Sequence, residues 1–368
     1  MRKNILPAIL LALTATIGWS CQSQDPYNQL DTQCRALFPA NEPGAAVLVM
    51  RGDSVLFDHG YGLADLQTKT PIDGNTFFNI ASVSKQFTAV GILQLAEQGR
   101  LSLNDAVAQY KPYPSALWKE VRLRHLLSHS SGVPDLRGSL PREERLRGTD
   151  SLSLAYLPSV NELLFSPGTA YDYMNPTFVL CGTIIEQVSG EPFADYMHKH
   201  IFAPAGMNET RYFDPEHENL IPRMAHGYEW ENGWQECDYG EETFFATRAD
   251  GGIYTSTHEF VRWEQVLRQH QVLSENWLRD AWTPHTQVSG SPWCDYQNRP
   301  NTWYGYGWFI EPPTDSTKTV IYHTGDNGGF QILAARYPED NGLVLVFSNR
   351  ADWDRYALMQ QIEAIFGF

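Results

Sequence analysis

Strand-like and helix-like patterns occupy different parts of this 368-residue chain. Residues 45–50 and 54–61 are rich in strand-forming side chains, and Arg51-Gly52-Asp53 between them is typical of a hairpin. Further strand-like runs follow near the C-terminus, at residues 306–310, 319–323, 330–337 and 343–348. Between the two groups, residues from about 110 to 245 show mostly helical patterns. We therefore expect an α+β fold, an α/β sandwich whose antiparallel sheet combines strands from both ends of the chain, with an inserted helical lobe.

Helical spacing is clearest in three segments. Residues 79–103, NIASVSKQFTAVGILQLAEQGRLSL, predict a helix that begins near residue 83 or 84 and that Gly99 can end. Residues 176–189 predict a second helix with Gly190 as its stop, and residues 356–366 predict a short amphipathic helix that closes the chain. A cleft between the sheet and the helical lobe would be the default position for a functional site.

The acidic composition argues against one class of partner. The formal net charge is −16 and the isoelectric point is about 5.1. A surface of this sign repels phosphate groups, so we expect no nucleic acid partner.

The N-terminus has the pattern of an export signal. Arg2 and Lys3 precede an apolar run, residues 5–17, which is too short to span a bilayer. Gly18-Trp19-Ser20-Cys21 follows and resembles a bacterial lipoprotein signal, in which the cysteine is lipidated. We expect a signal peptide at residues 1–20 and a single domain at 21–368, held at the membrane through Cys21 in the periplasm or at the outer membrane. The alternative is a plain secretory signal cut nearby.

The other cysteines predict no metal site. Cys34, Cys181, Cys237 and Cys294 match neither a zinc nor a thioredoxin spacing. An oxidising compartment would permit disulfides, but the spacing selects no pair. Cys181 lies inside an apolar helical pattern, and we expect it to be a small core residue.

Ser82 and Lys85 form the first candidate catalytic pair. If the helix begins near residue 83, Ser82 lies at its positive end and Lys85 lies on the same face, three residues on. A lysine whose pKa is lowered by burial could remove the serine proton. The alternative is a capping serine followed by a lysine whose stem packs on the core.

Two further segments carry candidate site residues. In SPGTAYDYMNPTF, Tyr173 and Asn175 are two apart, so an extended backbone would point both side chains to one side. Tyr173 could shuttle a proton and Asn175 could hold a substrate carbonyl, or the two could pack the core and cap a helix. In VIYHTGDNGGF, a strand leads into His323-Thr324-Gly325, where glycine lets the backbone approach a ligand. The alternative is a strand end and a glycine turn.

Together, the three motifs S-x-x-K, Y-x-N and H-T-G resemble those of the serine β-lactamase and penicillin-binding protein superfamily. The resemblance is greatest to the class C β-lactamase-like branch, which includes esterases and D-amino-acid peptidases. It covers roughly residues 35–366, and the stretches GYGLADLQTKTPI, RHLLSHSSGVPD, ADGGIYTSTHEFVRW and YGYGW also match. The resemblance implies a β-lactamase/transpeptidase-like fold and a serine hydrolase that needs no cofactor and acts on a small molecule or peptide.

The resemblance also implies roles for the matched residues. Ser82 would be the acylated nucleophile, Lys85 its activating partner, and Tyr173 the general base that also passes a proton to the leaving group. Asn175 would position the substrate. The backbone N–H groups of Ser82 and Asp326 would form the oxyanion hole, beside His323, Thr324 and Gly325.

Two residues depart from the family pattern. His323 replaces a lysine that attracts substrate carboxylates, and histidine, with an ordinary pKa of about 6.5, is a weaker anion anchor. This favours ester, amide or D-aminoacyl peptide hydrolysis over a true class C-type β-lactamase or a DD-carboxypeptidase. Asp326 would disfavour a nearby oxyanion unless it points away or pairs with a cation. A sensor protein that binds penicillin without turnover is the second alternative.

Several other residues are weaker candidates. His125 and His129 have the i, i+4 spacing of some metal ligands, but no glutamate lies between them, so we expect no metal. Ser131 lacks the glycine that a nucleophile elbow needs two residues before the serine. The aromatic stretches 228–234 and 293–308 could line a binding cleft or pack at the edges of the sheet and the lobe.

Overall fold

The computed structural model describes residues 25–146, 148–212, 221–237, 247–288, 301–315 and 317–368. The proposed signal peptide at 1–20, Cys21, Cys294 and residues 293–300 of the second aromatic stretch therefore lie outside the described residues. Within the described ranges, none of the helices has the length and apolar character needed to cross a membrane.

One antiparallel sheet dominates the described structure and joins the two ends of the chain. In chain order, the strands are β1 Ala45–Arg51, β2 Ser54–Tyr61, β3 Leu63–Asp65, β4 Thr70–Pro71, β5 Phe78–Asn79, β6 Arg211–Tyr212, β7 Tyr228–Trp230, β8 Trp234–Glu236, β9 Ile253–Thr255, β10 Thr286–Gln287, β11 Trp303–Tyr304, β12 Phe309–Glu311, β13 Val320–Asn327, β14 Phe330–Tyr337 and β15 Gly342–Ser348. The large sheet has the order β10-β11-β12-β13-β14-β15-β1-β2, so that β1 pairs with β15 in the register Val47↔Val346.

The helices cover both faces of this sheet, and most of them come from the part of the chain between β2 and β10. They are α1 Pro26–Leu37, α2 Lys85–Glu97, α3 Leu123–Leu127, α4 Arg142–Leu146, α5 Asp150–Leu154, α6 Asn175–Ser189, α7 Phe193–Met197, α8 Thr257–Arg268, α9 Glu275–Ala281 and α10 Arg355–Phe366. Helix α2 is buried on every side from Lys85 to Ala96, which is typical of a central core helix.

The large sheet is covered on both faces. Ala45, Val47 and Val49 of β1 belong to a core cluster that contains residues of α1 and α10. Ala46, Leu48 and Met50 belong to the second cluster, which contains residues of α2, α6 and α8. Because successive side chains of a strand point to opposite faces, a strand buried on both faces is apolar throughout. The predicted sandwich, with its sheet built from both ends of the chain, is confirmed.

The helical lobe is less regular than its pattern predicts. The predicted helix at 176–189 is confirmed as α6, and Gly190 ends it with a φ of 78°, which glycine adopts without strain. The other α-helices between Leu123 and Met197 are five residues each. The short strands β6, β7 and β8 also lie between residues 110 and 245. Frequent prolines interrupt the helical pattern here, because each removes a backbone donor.

The predicted strand at residues 306–310 is displaced. The structure has β11 before it and β12 at Phe309–Glu311, with a bend between them. At the bend, Gly307 has a φ of 85° and packs so closely on α2 that a Cβ atom there would lie 3.0 Å from the Lys85 carbonyl oxygen. The strand predicted at 319–323 is longer than expected and continues as β13 through the H-T-G motif to Asn327.

Candidate active site

Ser82 is presented at the N-terminal end of α2. It lies in a 3₁₀ turn, Ala81–Ser84, that leads directly into the helix. Ala81 has a φ of 45°, which is uncommon for a residue other than glycine, and its N–H donates to Asn79 Oδ1 at 2.8 Å. The partly exposed Ser82 side chain thus lies where helix N–H groups and the helix dipole favour a developing negative charge.

Lys85 lies directly beside the Ser82 hydroxyl. Its Nζ is 2.9 Å from Ser82 Oγ and donates to the Asp250 carbonyl oxygen at 2.8 Å. The side chain is completely buried, and this burial lowers the pKa of Lys85 to about 7, while the nearby Asp250 opposes the shift. At neutral pH a large fraction of Lys85 is therefore uncharged and able to accept the Ser82 proton.

Tyr173 completes this group with a protonated phenol. Its ring centroid is 5.0 Å from Lys85 Nζ. Burial raises the pKa of Tyr173 well above its ordinary value near 10, although a hydrogen bond with Ser82 opposes the change. In the resting site the phenol is a proton donor, so the amine of Lys85 is the better base and Tyr173 is suited to relay a proton.

Asn175 is the first residue of α6, and its side chain does not cap that helix. Met174 is extended, with φ −136° and ψ 105°, and it occupies the N-cap position of α6 without a side-chain capping bond. Asn175 Oδ1 is buried and accepts no hydrogen bond from the described residues. A buried acceptor without a donor is costly, so an amide N–H of a substrate would be stabilised there. The alternative that Asn175 is a helix cap is wrong.

Strand β13 lies against the Ser82 turn. A Cβ atom built on Gly325 would be 2.4 Å from the Ile80 carbonyl oxygen and 3.1 Å from Ser82 N. Only glycine fits so close an approach. Residues 323–326 therefore lie beside Ser82, as the order of the motifs predicts. Asp326 is the next residue after Gly325, so its backbone is also close to this contact.

His323 is neutral and engaged on both ring nitrogens. It is 1% exposed, its Nε2 is 2.9 Å from Tyr304 Oη, and its Nδ1 is 2.6 Å from the Thr324 carbonyl oxygen. A carbonyl only accepts, so Nδ1 carries the proton and Nε2 accepts from Tyr304. Burial, with Lys85 as a second cause, lowers the pKa of His323 to about 3. A neutral His323 gives no electrostatic attraction to a substrate carboxylate, whereas the lysine usual at this position does.

The negative charge of Asp326 is paired. Its half-exposed carboxylate accepts a hydrogen bond from Arg355 Nη2, and Arg355 itself is buried, with 5% of its side chain exposed. Arg355 Nη1 also lies 3.3 Å from the carbonyl oxygens of Gly325 and Ile332, on neighbouring strands. Arg355 therefore pairs with the Asp326 carboxylate and bonds the backbones of β13 and β14, so the charge of Asp326 is compensated where it could oppose an oxyanion.

The weaker candidates make hydrogen bonds or packing contacts within the fold. Ser131 Oγ accepts a hydrogen bond from the Val133 N–H, and His125 Nδ1 accepts one from the Arg122 N–H. No group of three metal-ligating side chains occurs within the described ranges. Of the aromatic residues, Trp308 is buried and donates to Gln86, whereas Trp230 is 58% exposed on the β7–β8 hairpin.

The family model described as "Beta-lactamase" matches residues 35–364. The chain belongs to the beta-lactamase family. Like other members it is a serine hydrolase related to penicillin-binding proteins, and it shares its fold with amidases and esterases.

The beta-lactamase-family relatives carry several different names. The chain is 29% identical to "Penicillin-binding protein 4*" of Bacillus subtilis over 93% of its own length and 76% of that protein. Its structure is similar to the penicillin-binding protein from Bacillus halodurans, with a TM-score of 0.76, 29% identity and coverage of 92% and 99% of the two chains. It also shares its fold with D-amino acid amidase from Ochrobactrum anthropi, with a TM-score of 0.74, 21% identity and coverage of 92% and 98%.

Sequence reasoning missed Arg355 and Tyr304. One signal for Arg355 was available, because Asp354 precedes a helix and caps it, accepting from the N–H groups of Tyr356 and Ala357. An arginine at the first position of that helix opposes the helix dipole and therefore indicates another role. Tyr304 had no comparable signal, since aromatic residues surround it in the sequence.

Proposed function

We propose that this beta-lactamase-family enzyme hydrolyses ester or amide bonds, D-aminoacyl peptide bonds included, through an acyl-enzyme on Ser82. The observation that carries the proposal is the contact between Lys85 Nζ and Ser82 Oγ at 2.9 Å, with a lysine pKa of about 7. A nucleophile with a neutral base in contact, at a helix N-terminus, is the arrangement that serine acylation requires.

The proposed reaction has two halves. Ser82 Oγ attacks the substrate carbonyl carbon while its proton passes to Lys85, and the oxyanion accepts hydrogen bonds from the N–H groups of Ser82 and Asp326. The C–O or C–N bond then breaks, and Tyr173 relays the proton from Lys85 to the leaving group. In the second half, water attacks the acyl carbon and gives one proton through Tyr173 to Lys85, which then returns it to Ser82 Oγ. The bond to Ser82 breaks, and a carboxylic acid leaves.

The electrostatics of the site favour substrates without a carboxylate beside the scissile bond. His323 is uncharged and Arg355 is engaged by Asp326, so neither supports recognition of an anion. The buried acceptor Asn175 Oδ1, which has no donor among the described residues, supports substrates with an N–H group near the carbonyl. These two observations favour uncharged esters and D-aminoacyl amides over β-lactams and peptides that end in a free carboxylate.

The proposal is tested with a substrate panel and a covalent probe on the purified protein. We expect turnover of short-chain nitrophenyl esters and D-aminoacyl anilides, slow turnover of a chromogenic cephalosporin, and one fluorophosphonate adduct, located on Ser82 by peptide mass spectrometry. An adduct on another serine, such as Ser131, would contradict the assignment. Rapid cephalosporin hydrolysis would instead support the β-lactamase alternative. A Ser82 adduct with penicillin that persists for days, without turnover of any substrate, would support the sensor alternative.

We also propose that the enzyme is exported and anchored through Cys21. The support is the sequence of residues 1–21, with its basic start, short apolar run and following cysteine. In a bacterial host, we expect the protein in the membrane fraction, without residues 1–20 and labelled by radioactive palmitate. Cys21→Ser should lose the label, whereas the control Cys237→Ser should keep it. A cleaved but unlabelled wild-type protein would show a plain secretory signal instead.

A further inference from the structure

His129 packs against the Tyr173 ring and is not one of the groups that give or take a proton in the proposed reaction. It is completely buried, and its backbone has a φ of 53°. This left-handed conformation is uncommon for a residue other than glycine. Conformations of this kind persist only where the surrounding structure holds them, and they concentrate at functional sites. The function of His129 therefore depends on the groups that it contacts.

The contacts of His129 hold the peptide groups on both sides of Tyr173. The His129 carbonyl oxygen accepts a hydrogen bond from the Asp172 N–H at 2.9 Å. The ring Nδ1 accepts a second bond from the Met174 N–H at 3.0 Å. One residue thus fixes the backbone immediately before and immediately after the catalytic candidate.

The ring of His129 also packs directly on Tyr173. The two ring centroids are 4.2 Å apart, and the Tyr304 ring lies 4.7 Å from His129 on another side. Since Tyr304 donates to His323, the His129 ring connects the Y-x-N segment with the H-T-G strand. A side chain in this position limits the rotation of the Tyr173 phenol.

The protonation state of His129 suits this position. Nδ1 accepts from a peptide N–H, so the ring proton is on Nε2, which has no partner among the described residues. Burial, with Lys85 and His323 as further causes, lowers the pKa of His129 well below its ordinary value. A neutral ring can pack behind Lys85 without adding a second positive charge to the site.

We propose that His129 is a positioning residue that orients the Tyr173 phenol for proton transfer. The inference rests on the proposed function, because it assigns His129 to the proton relay through Tyr173. If so, His129 affects the rate only through the orientation of the Tyr173 hydroxyl. A substituted side chain with an acceptor at the position of Nδ1 should then restore most of the lost rate.

The test compares His129→Phe with His129→Asn. Phenylalanine keeps an aromatic ring but has no acceptor for the Met174 N–H, whereas asparagine offers an amide oxygen and tolerates the left-handed conformation. With a nitrophenyl ester, we expect His129→Phe to lower kcat about 30-fold with KM changed less than about twofold. His129→Asn should stay within about fivefold of wild type. His125→Phe is the matched control, because His125 Nδ1 also accepts a backbone N–H, and its kcat should be unchanged.

A second comparison separates positioning from folding. In a Tyr173→Phe background, which lacks the hydroxyl to be oriented, His129→Phe should change the remaining rate by less than about twofold. An equal loss with and without the Tyr173 hydroxyl would overturn the inference, as would a wild-type kcat in His129→Phe. Failure of the proposed function is distinguishable, because wild-type protein would then form no fluorophosphonate adduct at Ser82.

Discussion

Lys85→Met is expected to lower kcat/KM for a nitrophenyl ester by at least about 10³-fold. Methionine has a similar length and packs in the same buried channel, but it cannot accept the Ser82 proton across the 2.9 Å contact. Ser82→Ala should cause a loss of the same order. Because the two side chains act as a unit, the double variant should be little worse than either single variant.

The pH dependence of the wild-type enzyme follows from the same group. The protonated form of Lys85 cannot act as a base, so kcat/KM should rise with pH through about 7 and reach a plateau above it. Two pH units below that value, only about 1% of Lys85 is neutral, and the rate should be about 100-fold below the plateau. Because His323 stays neutral over this range, an anionic and an uncharged substrate should give profiles of the same shape.

The control for Lys85 is a lysine outside the site. Lys199 is exposed and pairs with Glu191, so Lys199→Met should retain the wild-type rate and pH profile. Lys85→Arg should be as inactive as Lys85→Met, since a guanidinium does not lose its proton in proteins. A Lys85→Met enzyme with more than a tenth of the wild-type rate, or a flat profile between pH 5 and 8, would show that Lys85 is not the base.

Arg355→Met is expected to lower kcat/KM about 100-fold, an effect comparable to the loss of one oxyanion-hole donor. Without Arg355 the Asp326 carboxylate is unpaired beside the proposed oxyanion hole, and the carbonyl oxygens of Gly325 and Ile332 lose a donor. Both changes oppose the negative charge that develops on the substrate. The effect should fall mainly on kcat, because the oxyanion forms in the transition state.

A double variant separates charge from folding in this prediction. Asp326→Asn removes the negative charge, so Arg355→Met combined with Asp326→Asn should recover at least about tenfold of the loss. Arg336→Met is the matched control, because it breaks the buried ion pair with Glu264. It should lower the melting temperature while leaving kcat close to wild type. If the double variant is as slow as Arg355→Met, the charge of Asp326 is not the cause.

The bounds of strands and helices were predicted most accurately where neighbouring residues alone decide them. Strands β2 and β14 have the predicted bounds, and α6 ends at Gly190 because only the local backbone decides that position. The error at residues 306–310 has the opposite origin. There the alternation of side chains predicted a strand, but the close packing of Gly307 on α2 imposes a bend. A tertiary contact overrode the local pattern.

In the candidate site, too, local motifs predicted which residues come together, and tertiary contacts decided their charges. The order of the three motifs predicted that Ser82, Lys85, Tyr173 and the H-T-G strand come together, and the structure places them together. The sequence also identified His323 and Asp326 as the unusual positions. It could not assign their charge states, since a histidine and an aspartate have ordinary pKa values until their surroundings are known.

The fold class, the family and the residues at the centre of the chemistry could all be predicted from local sequence, because periodicity and short motifs are properties of neighbouring residues. The neutral state of His323, the pairing of Asp326 and the bonds of His129 to the Tyr173 segment arise only from long-range contacts. Each of these depends on a partner distant along the chain: Tyr304 for His323, Arg355 for Asp326, and Met174 for His129. Burial and hydrogen bonding between such partners set the charges of the site, and folding alone brings the partners together.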